Sequence, residues 1–163
     1  SYKNIGRKRA YKGRDMQIII KGKEYGFHWG FGAILMASEV FDKDADTLFG
    51  LSLLYANDDN GDIDVTQPTF VSHEVAFGAV LNWCHMNDID VDFTYYQFIN
   101  TYNDLGEDDI KSIAKSYYKS KYNGRLVEDI FKEIQAKYDA AKKESETPSK
   151  KKPATSKRKS ATA

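Results

Sequence analysis

Apolar residues recur at helical spacing through the second half of the chain, and this periodicity constrains its fold more than any other feature. Side chains at positions i, i+3, i+4 and i+7 of a helix lie on one face. Four successive segments show this spacing: Phe77, Val80, Leu81 and Cys84; Tyr95, Phe98, Ile99 and Tyr102; Ile110, Ile113, Ala114 and Tyr117; Val127, Ile130, Phe131, Ile134 and Tyr138. We therefore predict four amphipathic helices, of which the last runs from Leu126 to about Lys143.

The residues between these stripes predict where the helices begin and end. Ser72 can cap the first helix, and Gly106 can terminate the second in the left-handed conformation. The acidic residues 107–109 favour a helix start, because carboxylates stabilise a helix N-terminus. Asn123-Gly124 predicts the end of the third helix, and residues 57–70 form a polar loop.

The chain before residue 57 predicts a hairpin and two further helices. A β-branched run, Gln17 to Ile20, precedes a turn and an alternating segment, Glu24 to Trp29. The segments Ala33 to Phe41 and Ala45 to Ala56 are mostly apolar, so we expect two buried helices. The predicted fold is mainly α: an N-terminal β-hairpin, a compact bundle of about five to six helices and a disordered C-terminal tail.

The composition supports one folded domain between two basic ends. The chain has 163 residues, of which 41% are hydrophobic, and this is enough apolar material for one core. We expect a domain over residues 16–143 and a disordered basic tail over 144–163, since no large apolar residue follows Tyr138. Residues 1–15 lack periodicity, whereas Met16 begins the strand pattern, so they are either translated leader sequence or a genuine basic arm.

Charge is segregated along the chain although the formal net charge is zero. Residues 1–15 hold six basic groups and one acidic group, and residues 142–163 hold eight and two. The body, 16–141, therefore has 10 basic and 21 acidic groups, and it should repel nucleic acid and anionic membranes. The basic ends either contact nucleic acid or keep the chain ends solvated.

No arrangement of residues predicts catalysis or a cofactor. The single cysteine, Cys84, excludes an internal disulfide, and His28, His73 and His85 lack the spacing of zinc ligands. The acidic runs depart from the calcium-loop pattern, and no apolar stretch approaches the roughly 18 residues of a membrane span. We expect a soluble protein that is not an enzyme and holds no metal or cofactor.

Four aromatic side chains lie off the apolar stripes of their helices: Trp83, Tyr96, Tyr118 and Tyr122. Tyr and Trp are favoured anchors in protein interfaces, so these residues are the candidates for binding a partner. The alternative is that they widen the buried stripes. Both readings stay open at the level of sequence.

The segment MQIIIKGKEYGFHWGFGAILMASEVF, which starts at Met16, resembles the opening of the tail assembly chaperones of long-tailed bacteriophages. The resemblance is specific over these 26 or so residues and extends in layout to about residue 141. It implies a short chaperone that holds the apolar, helical tape-measure protein soluble in the host cell cytoplasm while tail-tube protein assembles around it. The family often makes a longer product by frameshifting, and the lysine runs at 142–143 and 150–152 could be encoded by slippery codons.

The resemblance implies the tape-measure and tail-tube proteins as partners, and the off-stripe residues Trp83, Tyr96, Tyr118 and Tyr122 are then the candidates for contact with the client. Self-association is left open by the sequence. The alternative function is a nucleic-acid-associated helical protein that uses its basic ends as arms. Salt dependence separates the two functions, because binding through basic arms weakens steeply as salt rises.

Overall fold

In the computed structural model, which describes residues 16–51 and 71–146, an antiparallel hairpin precedes six helices. The elements are β1 (Gln17–Ile20), β2 (Lys23–Gly26), α1 (Phe31–Phe41), α2 (Ala45–Leu51), α3 (His73–Met86), α4 (Tyr95–Asn103), α5 (Glu107–Tyr118), β3 (Lys121–Tyr122), β4 (Arg125–Leu126) and α6 (Val127–Glu146). The prediction of a mainly α fold with an N-terminal hairpin is confirmed. The predicted segment 1–15, the end of the second helix, the loop 57–70 and the tail from 147 lie outside the described residues.

The first hairpin contributes one face to the core. Ile18 pairs with Tyr25 across β1 and β2, and Ile20 pairs with Lys23. Because strand side chains alternate between faces, Ile18, Ile20 and Tyr25 are buried while Ile19 is exposed. The hairpin therefore covers the helices with an apolar face and leaves the other face at the surface.

Polar contacts fasten this hairpin to the chain between α3 and α4. The Asp92 carboxylate accepts hydrogen bonds from the Tyr25 hydroxyl at 2.6 Å and the Lys23 ammonium at 2.5 Å. The Lys21 ammonium donates to the Asp92 carbonyl at 3.0 Å. The hydrogen bonds from Lys23 and Tyr25 lower the pKa of Asp92 from 3.8 to about 2. We call these four residues the Asp92 latch.

Helices α1 and α3 pack so closely that small residues are required where they meet. A side-chain carbon at Gly78 would overlap the carbonyl oxygen of Ala33 and would lie 2.9 Å from the Ala37 methyl group. The chain after β2 also joins α3, because the His28 N–H donates to the Ala79 carbonyl at 3.0 Å. The Asn82 amide donates to the His28 carbonyl at 3.1 Å. Helix α3 is therefore the centre of the packing.

The predicted start of α3 is confirmed, but the predicted role of Gly106 is wrong. The Ser72 hydroxyl accepts from the Val75 N–H at 3.3 Å, as an N-cap does. Gly106 has a φ of −66° and immediately precedes α5 instead of ending α4. Helix α4 ends without a left-handed residue, because the Leu105 N–H closes the last turn on the Tyr102 carbonyl at 3.3 Å.

Asn123-Gly124 forms a hairpin turn, so the prediction that it ends a helix is wrong. Helix α5 ends at Tyr118, and β3 and β4 pair on either side of the two residues. Asn123 and Gly124 have φ values of +50° and +81°, which suit a two-residue hairpin loop. The Val127 N–H donates to the Ser120 carbonyl at 2.9 Å and closes the base of this second hairpin.

Helix α6 divides into a packed half and a projecting half. Val127 and Phe131 are buried, whereas residues 136–145 are all exposed. The prediction that Tyr138 faces inward is wrong, since its side chain is 59% exposed. Residues 144–146, predicted to start a disordered tail, belong to this helix. The helix extends beyond β4 and α5, against which its first half packs.

Candidate partner-binding surface

The structure places Tyr118 in the core, so its prediction as a partner-binding residue is wrong. Its side chain is 1% exposed, and its ring meets Phe131 edge-on at 5.2 Å and Tyr117 at 5.3 Å between centroids. Burial also raises the pKa of its hydroxyl group. The physical reason is that the second hairpin turns the chain back, and α6 then covers the end of α5. Tyr118 follows the alternative reading, in which it widens the buried stripe.

Trp83 lies half-buried against the first hairpin. A side-chain carbon at Gly26 would overlap the Trp83 indole, and the Tyr25 ring meets the indole edge-on at 6.3 Å. The indole therefore covers the backbone of β2, and this contact buries part of the Trp83 side chain. Its role in partner binding stays a prediction.

Tyr96 is the most exposed of the four predicted residues, at 78%. It lies in the first turn of α4 beside Tyr95, with 6.5 Å between the ring centroids. Tyr95 in turn packs edge-on against Phe41 and Phe77. Tyr96 thus stands at the edge of a buried aromatic group, and its role in partner binding also stays a prediction.

Tyr122 lies in a half-exposed aromatic group that two helices and the second hairpin form together. Its ring meets Phe31 edge-on at 5.7 Å and lies against Phe49 at 4.8 Å. Leu35 follows Phe31 by four residues on α1, so both side chains lie on the same side of that helix. We call Phe31, Leu35, Phe49 and Tyr122 the Tyr122 patch.

The Tyr122 patch rests on the core. The Phe49 ring packs at 5.3 Å against Phe131, which is fully buried and also contacts Tyr118. The second hairpin holds Tyr122 in place through its tight turn and its closed base. A surface backed by packed rings keeps its shape, so a partner would meet it already formed.

The exposure of α1 differs from the expectation that this helix is buried. Ala33, Ile34 and Ala37 do face the core, but Phe31 is 45% exposed and Leu35 42%. The apolar sequence of α1 runs all around the helix, whereas α3 covers only one side. Phe31 and Leu35 are therefore not among the candidates that the sequence predicts. The available signal is their spacing of four residues, which places two large apolar side chains together on one side of the helix.

Other large apolar side chains are exposed elsewhere in the described residues. Ile19, Val40, Met86 and Val91 have exposures of 58, 51, 60 and 45%. Val40 follows Phe31 by nine residues, which places it about half a turn around α1 from the patch. Single exposed apolar residues are ordinary on protein surfaces, whereas a contiguous aromatic group marks a candidate interface.

The four predicted residues divide between two aromatic groups. Trp83 and Tyr96 belong to a group with Tyr25, Phe93, Phe77 and Tyr95, whereas Tyr118 and Tyr122 belong to a group with Phe31, Phe49 and Phe131. The structure therefore does not bring all four together on one surface. Of these four, Tyr122 is the residue that contacts Phe31, whose side chain is 45% exposed.

The described part of the chain contains one thiol, Cys84, and it is buried. Burial raises the pKa of the Cys84 thiol to about 11, so it stays protonated and unreactive at neutral pH. Residues 16–51 and 71–146 contain no group of three or more His, Cys, Asp and Glu side chains that could hold a metal ion. None of the helices among them is both long and apolar enough to cross a membrane.

Comparison of the chain with protein-family models, with curated proteins and with solved structures finds no match. The features that bear on function are therefore the Tyr122 patch, the charge distribution and the resemblance of the segment that starts at Met16.

Proposed function

We propose that this protein is a tail assembly chaperone of a long-tailed bacteriophage. In this proposal it binds the apolar, helical tape-measure protein in the host cell cytoplasm and keeps it soluble while the tail-tube protein assembles. Three features support the proposal: the resemblance over the first hairpin and α1, the acidic helical body and the Tyr122 patch. The observation that carries it is the exposed pair Phe31 and Leu35 on one side of α1, of which Phe31 contacts Tyr122.

An apolar helix of the client would lie across the patch with side chains at i, i+3, i+4 and i+7 between those of α1 and the second hairpin. Burying the remaining exposed part of Phe31 or Leu35 would contribute about 1 kcal/mol each, since full burial contributes about 1.5–3 kcal/mol. Such contacts are individually weak, so several copies can hold a long client and still release it to the tube.

The acidic body gives the complex its solubility. Residues 16–141 hold 21 acidic against 10 basic groups, so several copies bound to one client repel each other and stay dispersed. The client's apolar surface is meanwhile covered by the Tyr122 patch. The Tyr122 patch thus binds the client, and the negative charge of the body keeps the complexes from associating with each other.

The test is co-expression of the full chain with the tape-measure protein of its own phage. We expect the chain to raise the soluble fraction of that protein and to co-purify with it. The double variant Phe31→Ser with Leu35→Ser should weaken binding by about thirtyfold and reduce the co-purified amount accordingly, because the two lost contacts together contribute about 2 kcal/mol. Val40→Ser is the matched control, because it removes an equally exposed apolar side chain from the other side of α1.

Two results would contradict the proposal. The first is a tape-measure protein that stays insoluble with the wild-type chain. The second is a double variant that remains folded, as judged by circular dichroism, and still co-purifies as the wild type does. Leu35→Glu alone supplies a second variant of the same surface if the double variant fails to fold.

The charge segregation supports a second candidate function, a nucleic-acid-associated protein with basic arms. Residues 1–15 and 142–163 together carry 14 basic and three acidic groups. Binding of the full chain to duplex DNA should then fall steeply between low and moderate salt. Capture of the tape-measure protein through the Tyr122 patch should change little over the same range, because apolar contacts are not screened.

A further inference from the structure

The projecting half of α6 carries an apolar stripe that continues the packed one beyond Ile134, which is half-buried against the core. Ile134, Tyr138 and Ala141 follow each other at spacings of four and three residues, on the side of the helix that Val127 and Phe131 bury nearer the body. Tyr138 is 59% exposed on this stripe. The side of α6 that forms the core at its start therefore reaches the surface at its end.

We propose that the projecting half of α6 pairs antiparallel with the same half of a second copy of this chain. The two-fold axis would pass between Ala140 and Ala141. Residues of the two copies whose numbers add up to 281, such as 137 and 144, would then lie level with each other. Residues 135–146 of both copies would then overlap over about 18 Å, at 1.5 Å per residue. The proposal does not depend on the function proposed above.

Charge complementarity selects this partner and this direction. Lys137 and Glu144 are seven residues apart, so both lie on the same flank of the apolar stripe. In an antiparallel pair equivalent flanks face each other, which places Lys137 against Glu144 of the second copy and the reverse. The two-fold axis repeats this contact.

A parallel pair of the same helices would be repulsive. In a parallel pair each flank faces the opposite flank of the partner, and a residue faces the one five positions later in the partner's sequence. Lys137 would lie against Lys142 of the second copy, and like charges in that position destabilise a helix pair. The sequence of the projecting half therefore favours the antiparallel arrangement.

The apolar stripe also fits this arrangement. Tyr138 of one copy would lie over Ala141 and Ser145 of the other, whose small side chains leave room for the ring. Lys137 contacts Glu133 of its own helix at the long distance of 3.7 Å, and exposed ion pairs of this kind exchange partners at little cost. The short overlap makes the dimer weak and dependent on concentration.

Sedimentation of the full chain over a concentration series from micromolar to millimolar tests the proposal. We expect a monomer–dimer equilibrium. Lys137→Glu should raise the apparent dissociation constant by about tenfold, because both symmetry-related pairs become repulsive. Glu144→Lys should have the same effect. Combining the two substitutions should restore association, since the charges are then exchanged and again opposite.

The matched control is Lys143→Glu, which makes the same change in charge on the side of α6 away from the stripe. It should leave the equilibrium unchanged, and circular dichroism should show the same helix content in all variants. A chain that stays monomeric at millimolar concentration would overturn the proposal. So would a dimer that Lys137→Glu leaves intact, or a combined variant that associates no better than the single ones.

Discussion

The two hairpins of this domain have similar turns but opposite surroundings. The first has four-residue strands, buries Ile18, Ile20 and Tyr25, and is fastened by the Asp92 latch. The second has two-residue strands and leaves Tyr122 half-exposed beside Phe31. The first hairpin therefore serves the core, whereas the second presents a side chain at the surface. The difference separates residues that should affect stability from residues that should affect binding.

The largest loss of stability should come from Tyr25→Ala in the first hairpin. The change removes a buried ring and the hydroxyl that donates to Asp92, so we expect a loss of about 3–5 kcal/mol in the free energy of unfolding. Urea denaturation of the full chain measures it. Tyr25→Phe is the control that keeps the ring, and it should cost only a fraction of this amount. A loss below about 1 kcal/mol for Tyr25→Ala would show that this hairpin is dispensable to the core.

Asp92→Asn should produce a smaller loss that depends on pH. Lys23 and Tyr25 hold the folded pKa of Asp92 at about 2, below its ordinary 3.8. The carboxylate therefore stabilises the fold above about pH 4, and this contribution is lost as the pH falls towards 2. The difference in stability between the wild type and Asp92→Asn should shrink over that range. A difference that is constant between pH 2 and pH 7 would contradict the role of the latch.

Gly124→Ala should destabilise the second hairpin by about 1 kcal/mol. The residue has a φ of +81°, which an alanine adopts only with strain. Gly124→Asn should cost less, because asparagine tolerates the left-handed conformation better. Thermal unfolding of the three proteins gives the order. An alanine variant as stable as the wild type would contradict the left-handed conformation of Gly124 in this turn.

Tyr122→Ser should have the smallest effect on stability and the clearest effect on binding. Its half-exposed ring contributes two aromatic contacts, so we expect a loss of about 1 kcal/mol or less in the free energy of unfolding. Co-purification with the tape-measure protein should fall while the circular dichroism spectrum is retained. If stability falls as far as in Tyr25→Ala, the second hairpin belongs to the core and the comparison fails.

Periodicity predicted the helices because the i, i+3, i+4 pattern is a property of the local chain. All residues of three of the four stripes are buried or half-buried. In the fourth stripe only Tyr138 is exposed, because α6 extends beyond the elements that pack against its first half. Asn123-Gly124 was misread because a helix end and a hairpin turn both use left-handed residues there. The pairing of Lys121 with Leu126 and of Tyr122 with Arg125 makes the segment a hairpin, and these strand contacts lie outside the two turn residues.

The candidate surface was less predictable than the fold. Tyr118 and Tyr122 both lie off the stripe of α5 in the sequence, yet one is buried by α6 and the other stays at the surface. Phe31 and Leu35 belong to a helix whose apolar residues surround it, so periodicity cannot tell the covered side from the open one. Exposure at these positions depends on how many elements pack around each helix, which only the tertiary structure determines.

The most direct test of the central claim is amide NMR of the full chain with and without an apolar helical segment of the tape-measure protein. We predict that the largest shifts occur at residues 31–35, at Phe49 and at residues 121–123. Shifts confined to Trp83, Tyr96 or the basic ends, with residues 31–35 unchanged, would contradict the assignment of the Tyr122 patch as the binding surface.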